Sequence, residues 1–196
     1  MQYDFGMPAD TRTRMVRGAA RLVGTRGATS SSLRELAREA GVPLGSTYHH
    51  FPGGKQQLVE EAVRSVGNHI TRIIESARDT GAGEALDVLT NEWRAVLESS
   101  GFRTGCAVLA VATEDDSDLS ALATSVFGSW QHQLADVLVH TGVSEERAPR
   151  LARMIVAAVE GAVALCRAEH SIAPLEDVTA ELHLLVRDAV GSSQGG

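Results

Sequence analysis

Four groups of residues have types and spacings that could do chemistry. Gly45, Ser46, Thr47, Tyr48, His49 and His50 form one short run, with Ser32 upstream and Lys55 downstream. Short hydroxyls, an aromatic phenol, imidazoles and an amine are groups that donate to phosphate oxygens and meet base edges. Gly45 either lets a backbone come close to base edges or serves turn chemistry. Tyr48 is either a phosphate or thymine-methyl contact or a core tyrosine. His50 is a phosphate contact or a solvated side chain, and His49 is read more weakly the same way. Lys55, at a helix start, can add its charge to amide dipoles aimed at one phosphate. Ser32 caps a helix and could also donate to phosphate. Arg12 and Arg14 reach backbone or minor groove, or form a solvated face, and Phe51 is read as core.

The second group is apolar. Trp93, Cys106, Phe127, Trp130 and Met154 could line a cavity for a small molecule, a wall type that such sites use, or could simply be core. His132 or Asn91 could add polarity. The third group is small or leucine-rich. Ala157, Gly161 and Ala164 on one helix, with Leu182 and Leu185 on the next, would let a second copy approach closely. The fourth group, Asp115, Asp116 and Asp118, lacks the spacing and glycine of a calcium loop and reads as a solvated cap. The seven histidines form no metal pair, and neither a nucleophile motif nor a glycine-rich phosphate loop occurs, so no metal, cofactor or catalytic set is expected.

Charge sharpens the first group. The 196 residues carry a net charge of −7, which for the chain as a whole argues against nucleic acid. The balance is uneven: residues 11–55 hold seven Arg and one Lys against two Glu, or +6, residues 1–10 carry −2, and residues 56–196 carry −11. A basic block on an acidic body points to a short polyanion-binding module joined to something else. The two cysteines, Cys106 and Cys166, sit among apolar residues and read as buried thiols. No signal peptide and no membrane-length apolar run is seen, so a cytoplasmic location without membrane contact is expected.

Helical periodicity dominates, and an all-α fold of about nine helices is expected. Residues 1–8 read as a frayed start and Arg12–Thr25 as the first helix, with Gly27 past its end. Ser32-Leu33-Arg34-Glu35 is a capping box, followed by a two-turn helix stopped at Gly41. Val42-Pro43 turns the chain, and Leu44 to Phe51 forms the next helix. A helix, a glycine-containing turn and a second short helix make a helix-turn-helix, which sets one helix in the major groove. Long helices then run from Lys55 to Arg78 and from Glu84 to Glu98. Phe102 to Ala112 reads as a short buried helix. Ser117 is the expected cap of a helix ending at Thr141.

The helix through Leu151, Met154, Ile155, Ala158, Val159, Ala162, Leu165 and Cys166 is apolar on nearly every side and must be buried twice. The last helix carries a heptad seam at Leu175, Val178, Leu182, Leu185 and Ala189. These boundaries give a DNA-binding domain at 1–54, a helical domain at 55–190 and a flexible tail at 191–196.

Ala37-Arg38-Glu39-Ala40-Gly41-Val42, then Gly45-Ser46-Thr47-Tyr48-His49-His50-Phe51, then Lys55 and Leu58, resemble the N-terminal domain of TetR-family transcriptional regulators. The resemblance covers about residues 10–65. Three departures stand out. Leu44 replaces a Lys or other polar residue common in members, Thr47 replaces the usual Leu, and one extra residue separates Phe51 from Lys55. That insertion, with Gly105-Cys106 and Glu160-Gly161-Ala162, resembles the LmrA/YxaF-like branch. The resemblance implies a homodimeric repressor on a pseudo-palindromic double-stranded DNA operator, released by a small aromatic or lipophilic effector bound in an all-helical C-terminal domain. The alternatives are a DNA-binding activator or architectural protein with no effector, and an enzyme with an incidental helix-turn-helix.

Overall fold

The structure is a computed structural model that describes residues 10–78 and 80–193, with backbone only at Ser192 and Ser193. Among the described residues there are nine helices and no strand: α1 (Thr11–Arg26), α2 (Leu33–Glu39), α3 (Leu44–His50), α4 (Gly54–Ser76), α5 (Ala82–Ser99), α6 (Ala107–Ala112), α7 (Ser117–His140), α8 (Ala148–Glu169) and α9 (Ala173–Ser193). The expected frayed start lies outside the described residues. The expected tail is corrected in part, because 191–193 continue α9; 194–196 lie outside.

Two compact units form. One contains residues up to Gly67 together with Thr104–Val126, the other Asn68–Arg103 together with the chain from Phe127 on. These are not the 1–54 and 55–190 segments read from sequence pattern, because the segment around α6 clusters with α1.

In the first unit α1 packs on α2 and on α6, and α2 packs on α3. Met15, Ala19 and Val23 give α1 its inward face, and Leu36, Phe51, Leu58 and Val63 are fully buried. Local chemistry sets the ends. Asp10 accepts from the Thr13 amide at 2.7 Å. The Ser32 hydroxyl accepts from the Glu35 amide at 3.2 Å, while the Glu35 carboxylate accepts from the Ser32 amide at 2.9 Å, closing the capping box. Those bonds from Ser32, with Arg26 and Arg38 nearby, hold the Glu35 carboxyl below its ordinary value of 4.5. Pro43 precedes α3 with φ −62°, a value its ring presets.

The second unit packs α8 on α9, and α5 on both. The heptad seam of α9 serves this packing: Leu175, Leu182 and Ala189 are buried within the single chain. One capping expectation shifts. α7 begins at Ser117, and its cap is Asp116, whose Oδ1 accepts from the Asp118 and Leu119 amides at 3.1 and 3.0 Å. Pro149 lies in the first turn of α8, where its missing N–H costs nothing.

Candidate functional site

α3 is short, and its exposed residues follow from what its other side must bury. Thr47 is 0% exposed and faces the core together with Phe51. This corrects its reading as a surface donor to bases or phosphates. The signal was in the sequence: Thr47 stands where the resembling family carries Leu, an apolar position. Among the described residues its Oγ1 finds no hydrogen-bond partner, which costs free energy that a methyl would not. Replacing Thr47 by Val, a near-isostere without the hydroxyl, is therefore expected to raise stability by about 1 kcal/mol and to leave DNA affinity unchanged, read by denaturant melting and a binding titration.

The remaining residues of the run line the other side. Tyr48 is 59% exposed, unusual for a large side chain. Gly45 and His49 are exposed, and Ser46 and His50 are half-buried. The imidazoles of His49 and His50 meet edge-on, with centroids 5.2 Å apart. A Cβ added at Gly45 would meet nothing within 4 Å among the described residues, and its backbone is ordinary helix. The fold itself does not require glycine there, and the turn-chemistry reading loses its basis.

Lys55 lies at the start of α4, its Nζ 3.5 Å from the Thr29 carbonyl oxygen. Ser32 is exposed, but its hydroxyl also donates to the Glu35 carboxylate at 2.8 Å, so a phosphate there competes with the cap. Several arginines are already engaged. Arg12 pairs with Glu61 and stacks over the Phe51 ring, Arg21 pairs with Glu39, and Arg26 and Arg38 flank Glu35. Arg14 and Arg34 are exposed. Glu35 and Glu39 are already counted in the +6 of the segment, so of these pairs only that of Arg12 with Glu61 lowers the charge presented outward.

In the second unit an apolar void opens against Trp93 on α5 and Trp130 on α7, with Ile70 and Ile74 of α4, Leu89 of α5, Leu134 of α7 and Val156, Val159 and Glu160 of α8. The structure therefore brings together two of the five residues expected to line a pocket. Phe127 lies behind the wall, edge-on to Trp130 at 5.3 Å. Met154 is corrected: it is 47% exposed on the outer side of α8. Cys106 is corrected as well. It belongs to the first unit, where it is buried and caps α6, its Sγ accepting from the Leu109 amide at 3.5 Å.

Glu160 is the residue that sequence reasoning missed. It stands in the Glu160-Gly161-Ala162 run, is 7% exposed and puts a carboxyl group into an apolar wall. A charged type at an inward position of an apolar helix was the available signal. The void measures about 20 Å³, room for roughly one water.

The expected association residues divide. Ala157, Gly161 and Ala164 are exposed, and with Met154 and Leu165 they form an apolar outer strip on α8. Leu182 is corrected, being 3% exposed inside its own unit, and Leu185 is half-buried; Leu184 is the leucine that α9 exposes. Among the described residues no group of three His, Cys, Asp or Glu could hold a metal ion, and no helix is long and apolar enough to cross a membrane.

Comparison with known proteins places these features. Residues 16–62 match the bacterial regulatory proteins of the tetR family, and residues 82–181 match the LmrA/YxaF-like transcriptional regulator C-terminal domain. An uncharacterized HTH-type transcriptional regulator of Mycobacterium tuberculosis is 37% identical over 183 residues, covering 89% of this chain and 93% of the relative. The HTH-type transcriptional regulator LmrA of Bacillus subtilis is 30% identical over 173 residues, covering 85% of this chain and 91% of the relative. A TetR transcriptional regulator from Legionella pneumophila has the same fold, with a TM-score of 0.78 at 20% identity over 91% of this chain and 98% of that one. The matched families and relatives are transcriptional regulators and not enzymes. The chain belongs to the TetR family of DNA-binding transcriptional regulators, with a C-terminal domain of the LmrA/YxaF-like type.

Proposed function

We propose that the protein is a repressor that binds a pseudo-palindromic operator as a homodimer and releases it when a small lipophilic compound enters the second unit. α3 would enter the major groove with Gly45 against the base edges and Tyr48 and His49 exposed toward them. Ser46, His50, Ser32 and Lys55 would meet phosphates.

The observation that carries the effector part is the void between Trp93 and Trp130. Its walls are apolar and its polarity comes from Glu160. The compound it suits is aromatic or aliphatic with one hydrogen-bond donor for that carboxyl group. Drug-sized ligands need about 300 Å³ or more, far above one water, so binding must push the walls apart. A ligand that fits only the opened state has different affinities for two states, the condition for shifting an equilibrium.

The dimer part rests on the outer strip of α8. Met154 and Leu165 are 47% and 51% exposed on a helix whose inner face is already buried. A helix apolar on both sides needs a second partner, and a second copy of the same strip gives two-fold symmetry. Gly161 has open space around it, so a large side chain there leaves the single chain intact. Gly161→Trp is expected to give folded monomers by light scattering; an unperturbed dimer would place the interface elsewhere.

The test of the whole reading is a compound screen by thermal melting, followed by titration of each stabilising compound against the complex with the DNA flanking the protein's own gene. At least one compound should raise the melting temperature by several degrees and weaken DNA binding by tenfold or more, the usual range of coupling, and Trp93→Ala should abolish both effects. If no compound that stabilises the protein releases DNA, the protein is a constitutive DNA binder and the effector reading fails.

A further inference from the structure

The loop between α1 and α2 is held by a residue that neither α3 nor the void uses. The Glu114 carboxylate, at the corner between α6 and α7, accepts from the Ala28 amide at 2.5 Å, from the Thr29 amide at 2.8 Å and from the Thr29 hydroxyl at 2.6 Å. The loop is tied at its other points too. The Ser31 hydroxyl donates to the Gly27 carbonyl at 2.8 Å, and Lys55 faces the Thr29 carbonyl. Beside it the Gly105 amide donates to the Gly24 carbonyl at 2.9 Å, and the Thr25 and Thr104 hydroxyls lie 3.2 Å apart.

The sequence makes room for this contact with two glycines. A Cβ at Gly24 would collide with the Gly105 carbonyl oxygen, and one at Gly27 would collide with the Glu114 carboxylate. Gly27 also has φ +83°, which other residues rarely adopt. All of these residues lie in the first compact unit. They nevertheless come from both matched domains, since Glu114 belongs to the C-terminal match and Ala28 and Thr29 to the N-terminal one.

Hydrogen bonds to a carboxylate are shorter and stronger than neutral ones, and here three converge on two consecutive residues. The loop they hold leads directly into Ser32 and α2, and α2 packs on α3. The geometry points to Glu114 as a positioning residue for DNA binding. It touches no DNA, but it sets where Ser32 and Lys55 sit, and any shift of the α6–α7 corner would be felt at the α1–α2 loop. This inference rests on the proposed phosphate contacts of Ser32 and Lys55.

Positioning and charge make opposite demands, which allows a clean test. A carboxylate close to the phosphate-contacting edge repels DNA, so if charge alone mattered, removing it would strengthen binding. If Glu114 positions the loop, removing it weakens binding. The full chain and its Glu114→Ala, Glu114→Asp and Thr29→Val variants are titrated with a duplex carrying the DNA flanking the protein's own gene. Amide exchange at Ala28 and Thr29 is followed in parallel.

Glu114→Ala is expected to weaken DNA binding by about tenfold, or about 1.4 kcal/mol, and to speed exchange at both amides. Glu114→Asp keeps the charge but shortens the reach, and should weaken binding similarly; this variant decides the matter if Glu114→Ala fails to fold. Thr29→Val should weaken binding in the parent chain and add little in the Glu114→Ala background. Equal or tighter DNA binding by Glu114→Ala and Glu114→Asp, with the parent chain binding normally, overturns the proposal alone. A parent chain that binds no DNA overturns it together with the recognition reading, while the amide protection still reports whether the clamp exists.

Discussion

Replacing Tyr48 and His50 together by alanine is expected to abolish specific DNA binding while leaving the protein folded. Neither side chain is part of the core of the free protein. Tyr48 is 59% exposed, so most of its side chain lies outside the core. His50 is half-buried at the end of α3 and makes an edge contact with His49. Substitutions at such surface positions usually change stability by about 0.5 kcal/mol or less, and alanine favours helix. The binding side is larger. A base contact contributes about 1–3 kcal/mol of discrimination, a phosphate contact adds affinity for any sequence, and in the proposed two-fold dimer each residue acts twice. Two residues in two protomers give a loss of about a thousandfold or more, enough to merge specific into non-specific affinity. The check is a titration of flanking DNA in the presence of competitor DNA, alongside melting of the free protein. Retained affinity would show that α3 is not the reading helix.

Phe51→Ala should have the largest effect on stability. Phe51 is 0% exposed, and it closes α3 through its amide, which donates to the Thr47 carbonyl at 2.8 Å. Its carbonyl accepts from Gly54 at 2.8 Å, at the entry to α4. Removing a buried phenyl ring costs about 3–5 kcal/mol through lost transfer energy and the cavity left behind. Against a typical total of 5–15 kcal/mol, that is enough to unfold a large fraction of the first unit near physiological temperature. Arg12 also loses the ring face on which its guanidinium rests, 5.2 Å from the centroid. Phe51→Leu, which keeps most of the volume, should recover most of the stability. The two variants are compared by denaturant unfolding, and DNA affinity should follow the folded fraction. A small change in Phe51→Ala would mean that the α3–α4 junction is not part of the core.

What the sequence made legible follows the range of each interaction. The Ser32–Glu35 capping box is a contact between residues three apart, and it forms as read. The spacing of α2, its turn and α3 is equally local. Thr47 was misread because a hydroxyl residue was assigned by its chemistry and not by its position, although the departure from Leu marked the position as apolar. α8 shows the limit of periodicity. With apolar residues on every side, spacing alone could not say that Val156 faces the void while Met154, two residues away, faces out. The seam of α9 was visible as a period, but its partner was not: Leu182 packs within its own unit and Leu184 is the leucine left exposed.

Glu114 lay beyond reach for a different reason. It stood in an acidic tract that reads as a solvated cap, and its partners Ala28 and Thr29 are more than eighty residues away. Gly27 was the trace of that contact and Gly24 of the Gly105 contact beside it, and glycine has too many other uses to point to one partner.

The charge distribution also changes meaning with the structure. Arg21, Arg26 and Arg38 spend part of their charge on Glu39 and Glu35. DNA affinity should then depend on a few phosphate contacts per protomer, with salt dependence set by those alone.

The most direct test of the central claim is a footprint of the protein on the DNA flanking its own gene, in excess competitor and at physiological salt. The account predicts saturable protection of two half-sites related by two-fold symmetry, with centres about 34–36 Å apart or a multiple of that. It also predicts that the protection disappears with the Tyr48 and His50 substitutions. Protection without two-fold symmetry, or a footprint unchanged by those substitutions, would contradict it.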